Sequence, residues 1–304
     1  MRARHGQTPH LPRPGSPRET PVAVITGAGR GLGQAIARRL HRDGYQLVLG
    51  DVDGPRVRAA AAELGHQHTA VEADVTDLGA SDDMATAAME RHGRLDVWVN
   101  NAGVMPLGRL HSQAPDVLAY TCEVNLGGVV RGSLAALEHM RPQGSGHIVN
   151  IASITAVKPL AGFAVYGATK AAVVSFSQSL RRELRHDSIH VTAVLPYMIT
   201  TAMTPGIEPR LLCPLEPAHV AEAVARAITK PRACIYVPRT SRFLSWAAGL
   251  PQRVQDITDN ALRMDDVASG AGTRARTDYD AELSARTTTA CISGGRPAPT
   301  EAGQ

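Results

Sequence analysis

The sequence predicts a doubly wound α/β fold, a seven-stranded parallel sheet with helices on both faces. Three observations predict it. From residue 21 onward, short β-branched runs alternate with longer stretches of helical pattern. The runs are mainly apolar with no strict alternation, as in strands buried on both faces. The connections between them are long enough to be helices, which makes the pairing parallel and the crossovers right-handed.

The strands are read, in order, as VAVIT at 22–26, QLVLG at 46–50, HTAVE at 68–72, DVWVN at 96–100, GHIVNIA at 146–152, HVTAVLP at 190–196 and CIYVP at 234–238. Helices near 31–43, 55–64, 77–92, 115–140, 162–187 and 216–229 supply the six crossovers. After CIYVP the alternation breaks. The stretch 241–267 bunches Phe243, Leu244, Trp246 and Leu250, is punctuated by Pro251, and is expected to form a short helical appendage. Residues 268–304 are rich in Gly, Thr, Ala and Arg without periodicity and are expected to be a disordered tail, as are residues 1–20. The single folded unit is thus placed at 21–240, with no internal repeat.

Composition excludes several classes. The net charge of +4 owes most of its excess to Arg2, Arg4, Arg13 and Arg18 against Glu19 in the first twenty residues. The body is near neutral, without the clustered basic and aromatic residues of a nucleic-acid binder. Cys122, Cys213, Cys234 and Cys291 are scattered, with no metal or disulfide spacing, which fits a reducing cytoplasm. His66 and His68 would share a strand face, but no third ligand lies nearby, so no metal is expected. No apolar run approaches the roughly 18 residues of a membrane span. The N-terminus is Arg-rich like a transit peptide, yet its four prolines oppose the amphipathic helix such a peptide needs.

The segment VAVITGAGRGLGQAIARRL joins a strand, a glycine-rich turn and a helix. Gly27, Gly31 and Gly33 let the backbone turn tightly, approach a pyrophosphate and pack helix on strand, and the helix N-terminus offers unpaired N–H groups to phosphate. Eighteen residues past Gly33, Asp51 ends the second strand, where a carboxylate accepts hydrogen bonds from both ribose hydroxyls and repels a 2′-phosphate. Asp51, with Asp53, therefore argues for NAD; the alternative is that it caps the following turn. Arg30 in the glycine loop could pair with a 2′-phosphate and keeps NADP open.

The spacing Thr26-Gly27-x-x-x-Gly31-x-Gly33, with NNAG at 100–103, Asn125, Ser153 and Tyr166-x-x-x-Lys170, resembles the short-chain dehydrogenase/reductase family from residue 21 to about 240. The resemblance implies a single-domain Rossmann sheet and an oxidoreductase acting on CH-OH groups. Positions i and i+4 share a helix face, so Lys170 can place its charge near the Tyr166 phenol and favour phenolate. Tyr166 then serves as acid or base. Ser153 resembles the hydroxyl that polarises the substrate oxygen. Asn125, a poor helix former within a helical stretch, resembles the anchor of the family's proton relay.

The resemblance further implies that Asp74 meets the adenine amine, although it could equally cap the next helix. It implies close cofactor passage at Ala102 and Gly103, carboxamide contacts from Ile199 and Thr201, and further cofactor contacts from Leu32, Val75, Asn101 and Pro196. The glycine usual after Pro196 is here Tyr197, which must narrow the pocket or turn away. Phe163, Tyr197 and Met203, with Val157, Leu160, Met198, Leu211 and Leu212, suggest an apolar pocket for a small alcohol or ketone. The small residues Ala168, Ala171, Ala172 and Ser175 fit the homodimers or homotetramers of the family. A non-catalytic dinucleotide-binding regulator and a sugar-nucleotide epimerase or dehydratase are the alternatives.

Overall fold

The computed structural model describes residues 20–207, 211–268 and 274–293; the sequence reading of residues 1–19 lies outside them. The strands are β1 (Val22–Thr26), β2 (Gln46–Asp51), β3 (Thr69–Glu72), β4 (Val97–Asn100), β5 (Gly146–Ile151), β6 (Ile189–Pro196) and β7 (Cys234–Val237). They form one parallel sheet in the order β3-β2-β1-β4-β5-β6-β7. Because β1 pairs with both β2 and β4, the strand order reverses there, and the crevice at the carboxyl ends opens at that switch point.

Period-two packing explains the layers. Ala23 and Ile25 of β1 meet α1 (Gly31–Arg42), α2 (Gly54–Leu64) and α7 (Pro217–Thr229) through Ile36, Val57 and Val224. Val22 and Val24 face the other way, onto α3 (Ala80–His92), α5 (Gly128–Gln143) and α6 (Ala164–Glu183) through Met84, Met140 and Leu180. Both faces of the sheet are therefore covered, as the unbroken apolar strands required.

Two elements differ from the sequence reading, and the helical appendage expected at 241–267 is resolved into its parts. The single helix expected at 115–140 is α4 (Pro115–Cys122) and α5, joined by one π-helical turn at Glu123–Gly127. Asn125 causes the break: its side chain bonds the backbone of Val104 at both ends instead of facing along the helix. Residues 241–267 carry two helices, α8 (Arg242–Ala247) and α9 (Gln252–Ala261). The segment 268–304, expected to be disordered, contains α10 (Arg274–Ser293); the remainder of it, apart from Ala268, lies outside the described residues.

Two histidines are buried in this scaffold. His147 on β5 has no exposed surface, meets Thr192 Oγ1 at 2.8 Å, and is pulled down to about 3 by burial. His68 is not a solvated loop residue: its Nδ1 accepts from Leu47 N–H, its Nε2 meets His41, and burial holds it near 4. Both folded values lie below the unfolded one, so the unfolded chain binds more protons and stability is lost as pH falls from about 6.5 toward these values. Denaturant titrations should show a loss of about 2 kcal/mol per histidine between about pH 7 and about pH 5. Stability that stays flat over that interval contradicts the neutral, buried rings.

Candidate active site

The chain leaves β1 through Gly27 at φ +65 and Gly31 at φ +58, a region that glycine enters without steric cost. A Cβ on Gly27 would stand 2.8 Å from the Ala102 Cα, and one on Gly33 would overlap the Gly27 carbonyl oxygen. Asn101 locks this turn to the end of β4: its amide donates to the Thr26 and Gly27 carbonyls at 2.9 and 3.0 Å. Helix α1 then starts at Gly31 without a side-chain cap and with no acidic residue in its first turn. Its unpaired N–H groups and positive dipole end meet the crevice through Gly31, Leu32 and Gly33. Such a terminus fits the phosphates of a dinucleotide.

At the neighbouring strand end, Asp51 accepts from Gly29 N–H at 2.8 Å and from Asp53 N–H at 3.0 Å. One group therefore braces the glycine loop and turns the chain, with a further lone pair on each oxygen for a ligand. Asp74 likewise accepts from the Thr76 backbone and hydroxyl at 2.9 and 2.8 Å.

The reacting groups lie beyond β5. Ser153 follows that strand, and its hydroxyl is close enough to the Tyr166 phenol to favour the phenolate. One turn along α6, Lys170 puts its ammonium 5.8 Å from the centre of the Tyr166 ring and donates to the Ile151 carbonyl at 3.0 Å. Asn125 is fully buried behind this pair, donating to the Val104 carbonyl at 2.9 Å and to Thr169 Oγ1 at 3.2 Å, and accepting from Val104 N–H at 2.8 Å.

The electrostatics correct one expectation. Lys170 was expected to hold the phenol below its ordinary value, yet burial pushes Tyr166 up to about 12, with Ser153 pulling the other way. The ring packs in an apolar cluster with Phe163, Met203 and Leu160, where a phenolate loses its hydration. Burial also draws Lys170 down to about 8.

One cavity of about 340 Å³ gathers the predicted catalytic, cofactor-binding and pocket-wall residues together with Leu160 and Met198, but not Asn125 or Asp53, nor Val157, Leu211 and Leu212 of the expected apolar pocket. Gly27, Asp51 and Asp74 line one end. Ser153, Tyr166, Lys170, Pro196, Ile199 and Thr201 line the middle, and Phe163, Tyr197 and Met203 contribute its wall. Among the described residues, no group of three metal-ligating side chains assembles, and no helix is long and apolar enough to cross a membrane.

Sequence reasoning missed the residues that α10 brings to this cavity: Tyr279, Glu282, Leu283 and Arg286. Arg276 anchors the helix with no exposed surface, donating to the Met203 carbonyl at 2.8 Å and the Met105 carbonyl at 2.5 Å. The Tyr279 hydroxyl accepts from Met105 N–H at 2.9 Å. Glu282 pairs with Arg30 at 3.1 Å, and Arg56 comes within 3.7 Å of it. Leu283 packs with Val75, Tyr120 and Val124. The available signal was the spacing 276, 279, 283, 287, one helical stripe. An arginine and a threonine in that stripe hide it from a count of apolar residues.

Comparison with known proteins agrees with this geometry. The family described as short chain dehydrogenase matches residues 21–211. An uncharacterized oxidoreductase of Staphylococcus epidermidis is 37% identical over 210 residues, covering 69% of this chain and 91% of the relative. One from Staphylococcus aureus is 37% identical over 212 residues, covering 69% and 92%. Among solved structures, a 3-ketoacyl-(acyl-carrier-protein) reductase from Brucella melitensis complexed with NADH superposes with a TM-score of 0.66 at 30% identity, over 71% of this chain and 96% of its own. An alcohol dehydrogenase from Thermococcus sibiricus complexed with 5-hydroxy-NADP gives 0.65 at 31% identity, over 72% and 95%. A family match across most of the sheet, shared with oxidoreductases 37% identical over 69% of the chain, means that this protein belongs to the short-chain dehydrogenase/reductase family.

Proposed function

We propose that this protein is an NAD-dependent oxidoreductase that interconverts a secondary alcohol and a ketone on a small apolar substrate. The observation that carries the reading is the triplet at the carboxyl end of β5: the Ser153 hydroxyl beside the Tyr166 phenol, with the Lys170 ammonium on the next helical turn, in one cavity with the glycine loop. A bound nicotinamide dinucleotide supplies the hydride acceptor or donor at the carbinol carbon.

Ser153 orients and polarises the substrate oxygen, and Tyr166 exchanges a proton with it. Set by the protein's own groups, the phenol is protonated at neutral pH and is a donor for ketone reduction; alcohol oxidation needs added positive charge nearby, which an oxidised nicotinamide ring carries. Lys170 holds the nicotinamide ribose and completes the charge balance, while Asn125 fixes the backbone at Val104 and closes the relay toward Thr169. Gly27, Gly31 and Gly33 receive the pyrophosphate, with Leu32, Val75, Asn101, Ala102, Gly103 and Pro196 around it, Asp74 at the adenine, and Ile199 and Thr201 at the carboxamide. The apolar end at Phe163, Tyr197 and Met203 takes the substrate's carbon frame.

Asp51 supports NAD over NADP because its carboxylate stands where a 2′-phosphate would be repelled. Arg30, the opposing argument, is engaged by Glu282. The exposed small residues Ala168, Ala171 and Ser175 on α6 support close packing in a homodimer or homotetramer. A panel of hydrophobic secondary alcohols with NAD, followed by the absorbance of reduced nicotinamide, tests the activity. Turnover should appear and fall about 10- to 100-fold in Ser153→Ala, the size of one lost hydrogen bond to a charged centre. Tight NADH binding without turnover on any alcohol or ketone would favour the regulator instead.

A further inference from the structure

Helix α9 buries none of its residues and turns no apolar side chain to the core. The two side chains that reach back to the protein are polar: Gln255 donates to the carbonyls of Ala248 and Leu250 at 3.1 and 2.8 Å, and Asp259 is paired with Lys158 at 2.5 Å. Its apolar ones, Val254, Ile257 and Ala261, recur three and four residues apart and are exposed. Phe243 and Trp246 of α8, the helix whose following turn Gln255 holds, are exposed too, Trp246 being 74% exposed and Ile257 69%. Of the eight large apolar side chains exposed among the described residues, five lie between positions 243 and 262. A concentration of that kind marks an interaction surface.

The charges around it select the partner. Arg239, Arg242 and Arg253 are exposed and make no ion pair among the described residues, against the single exposed carboxylate of α9 in the same state, Asp256, which accepts from Gln252. A face-to-face second copy would set these arginines against themselves. The chain's own first twenty residues, with four arginines against one glutamate, would be repelled too. An anionic bilayer surface matches both components, taking tryptophan, phenylalanine and isoleucine at the headgroup boundary and arginine at the phosphates.

We propose that the α8–α9 face docks on an anionic lipid surface. Its position gives the docking a use. Beyond Arg263 the chain turns into Met264 and Val267, which are buried against Phe163 and Leu160 at the apolar end of the cavity. The Lys158–Asp259 pair ties α9 to the loop between Ser153 and Phe163. An apolar alcohol or ketone dissolved in the bilayer would then meet the substrate end of the cavity directly. That consequence rests on the proposed function, whereas the docking itself does not.

The test is sedimentation of the full chain with phosphatidylcholine vesicles, with and without phosphatidylglycerol. The protein should partition onto the phosphatidylglycerol vesicles, weakly onto phosphatidylcholine alone, and less as salt rises. The surface variant Trp246→Asp/Ile257→Asp should lose tenfold or more of the partitioning. Arg239→Gln/Arg242→Gln should lose about fivefold per arginine. Circular dichroism checks that these exposed substitutions leave the fold intact. Absence of wild-type partitioning, or equal partitioning of the aspartate variant, overturns the proposal. So does a change in sedimenting mass of the aspartate variant with vesicle binding unaltered, which would assign the face to a second copy. A docked protein that turns over no alcohol or ketone overturns the proposed function and leaves the docking standing.

Discussion

Replacing Tyr166 with phenylalanine should lower turnover by about 10²- to 10⁴-fold, the range of general acid–base catalysis, and leave NADH affinity within about twofold. The substitution removes one oxygen. The ring keeps its apolar contacts with Phe163 and Met203, and Lys170 keeps its bond to the Ile151 carbonyl, so the cavity retains its shape. A loss confined to turnover therefore reports the proton and not the fold. Single-turnover measurements and NADH fluorescence on the same preparations separate the two. Undiminished turnover would move proton transfer to another group.

Gly33→Val should have the other large effect, abolishing dinucleotide binding by about a hundredfold or more as backbone donors to the phosphates are displaced, each worth about 1.5–3 kcal/mol. The position has no room for any Cβ: one would overlap the Gly27 carbonyl oxygen and crowd the Asn101 amide, so the glycine turn itself must shift. Overpacking of this kind costs about 1–3 kcal/mol of stability as well. Gly31 provides the contrast. A Cβ there first meets Thr201 Cγ2 at 3.7 Å, so Gly31→Ala carries only the backbone cost of a left-handed residue, about 1–2 kcal/mol. Thermal midpoints and NADH titrations of the two variants should differ in that order. Equal binding by Gly33→Val would remove the glycine turn from the dinucleotide site.

The sheet was legible because its central strands are buried on both faces. Runs such as VAVIT and QLVLG carry a polar residue only at one end, and their parallel pairing follows from the helix-length crossovers. The glycine turn and the Tyr166–Lys170 pair were legible for a similar reason, since each depends on spacing within one element. What escaped depends on residues far apart in the chain. Asn125 marked a disturbance, but that its side chain would exchange hydrogen bonds with Val104 and open a π turn required the tertiary contact. The pull of burial on Tyr166 exceeds the neighbouring charge because Phe163 and Met203 close around it, and spacing along α6 carries no trace of that. Helix α10 was hidden because its buried stripe begins with Arg276, whose partners are carbonyls at positions 203 and 105.

The cavity is charged at one end, lined by Arg30, Asp51 and Glu282 with Arg56 behind Glu282, and hydrocarbon-lined at the other, where Phe163, Leu160 and Val267 meet. Ionic strength and temperature therefore act on different halves of whatever it holds. Added electrolyte, with a Debye length near 10 Å at about 0.1 M, weakens the grip on phosphates and leaves the greasy half untouched. Cooling weakens the greasy half, whose attraction is entropic near room temperature. A ligand that spans the whole cavity is thus pinned head and tail by forces of different origin, which fixes its orientation before any bond is broken.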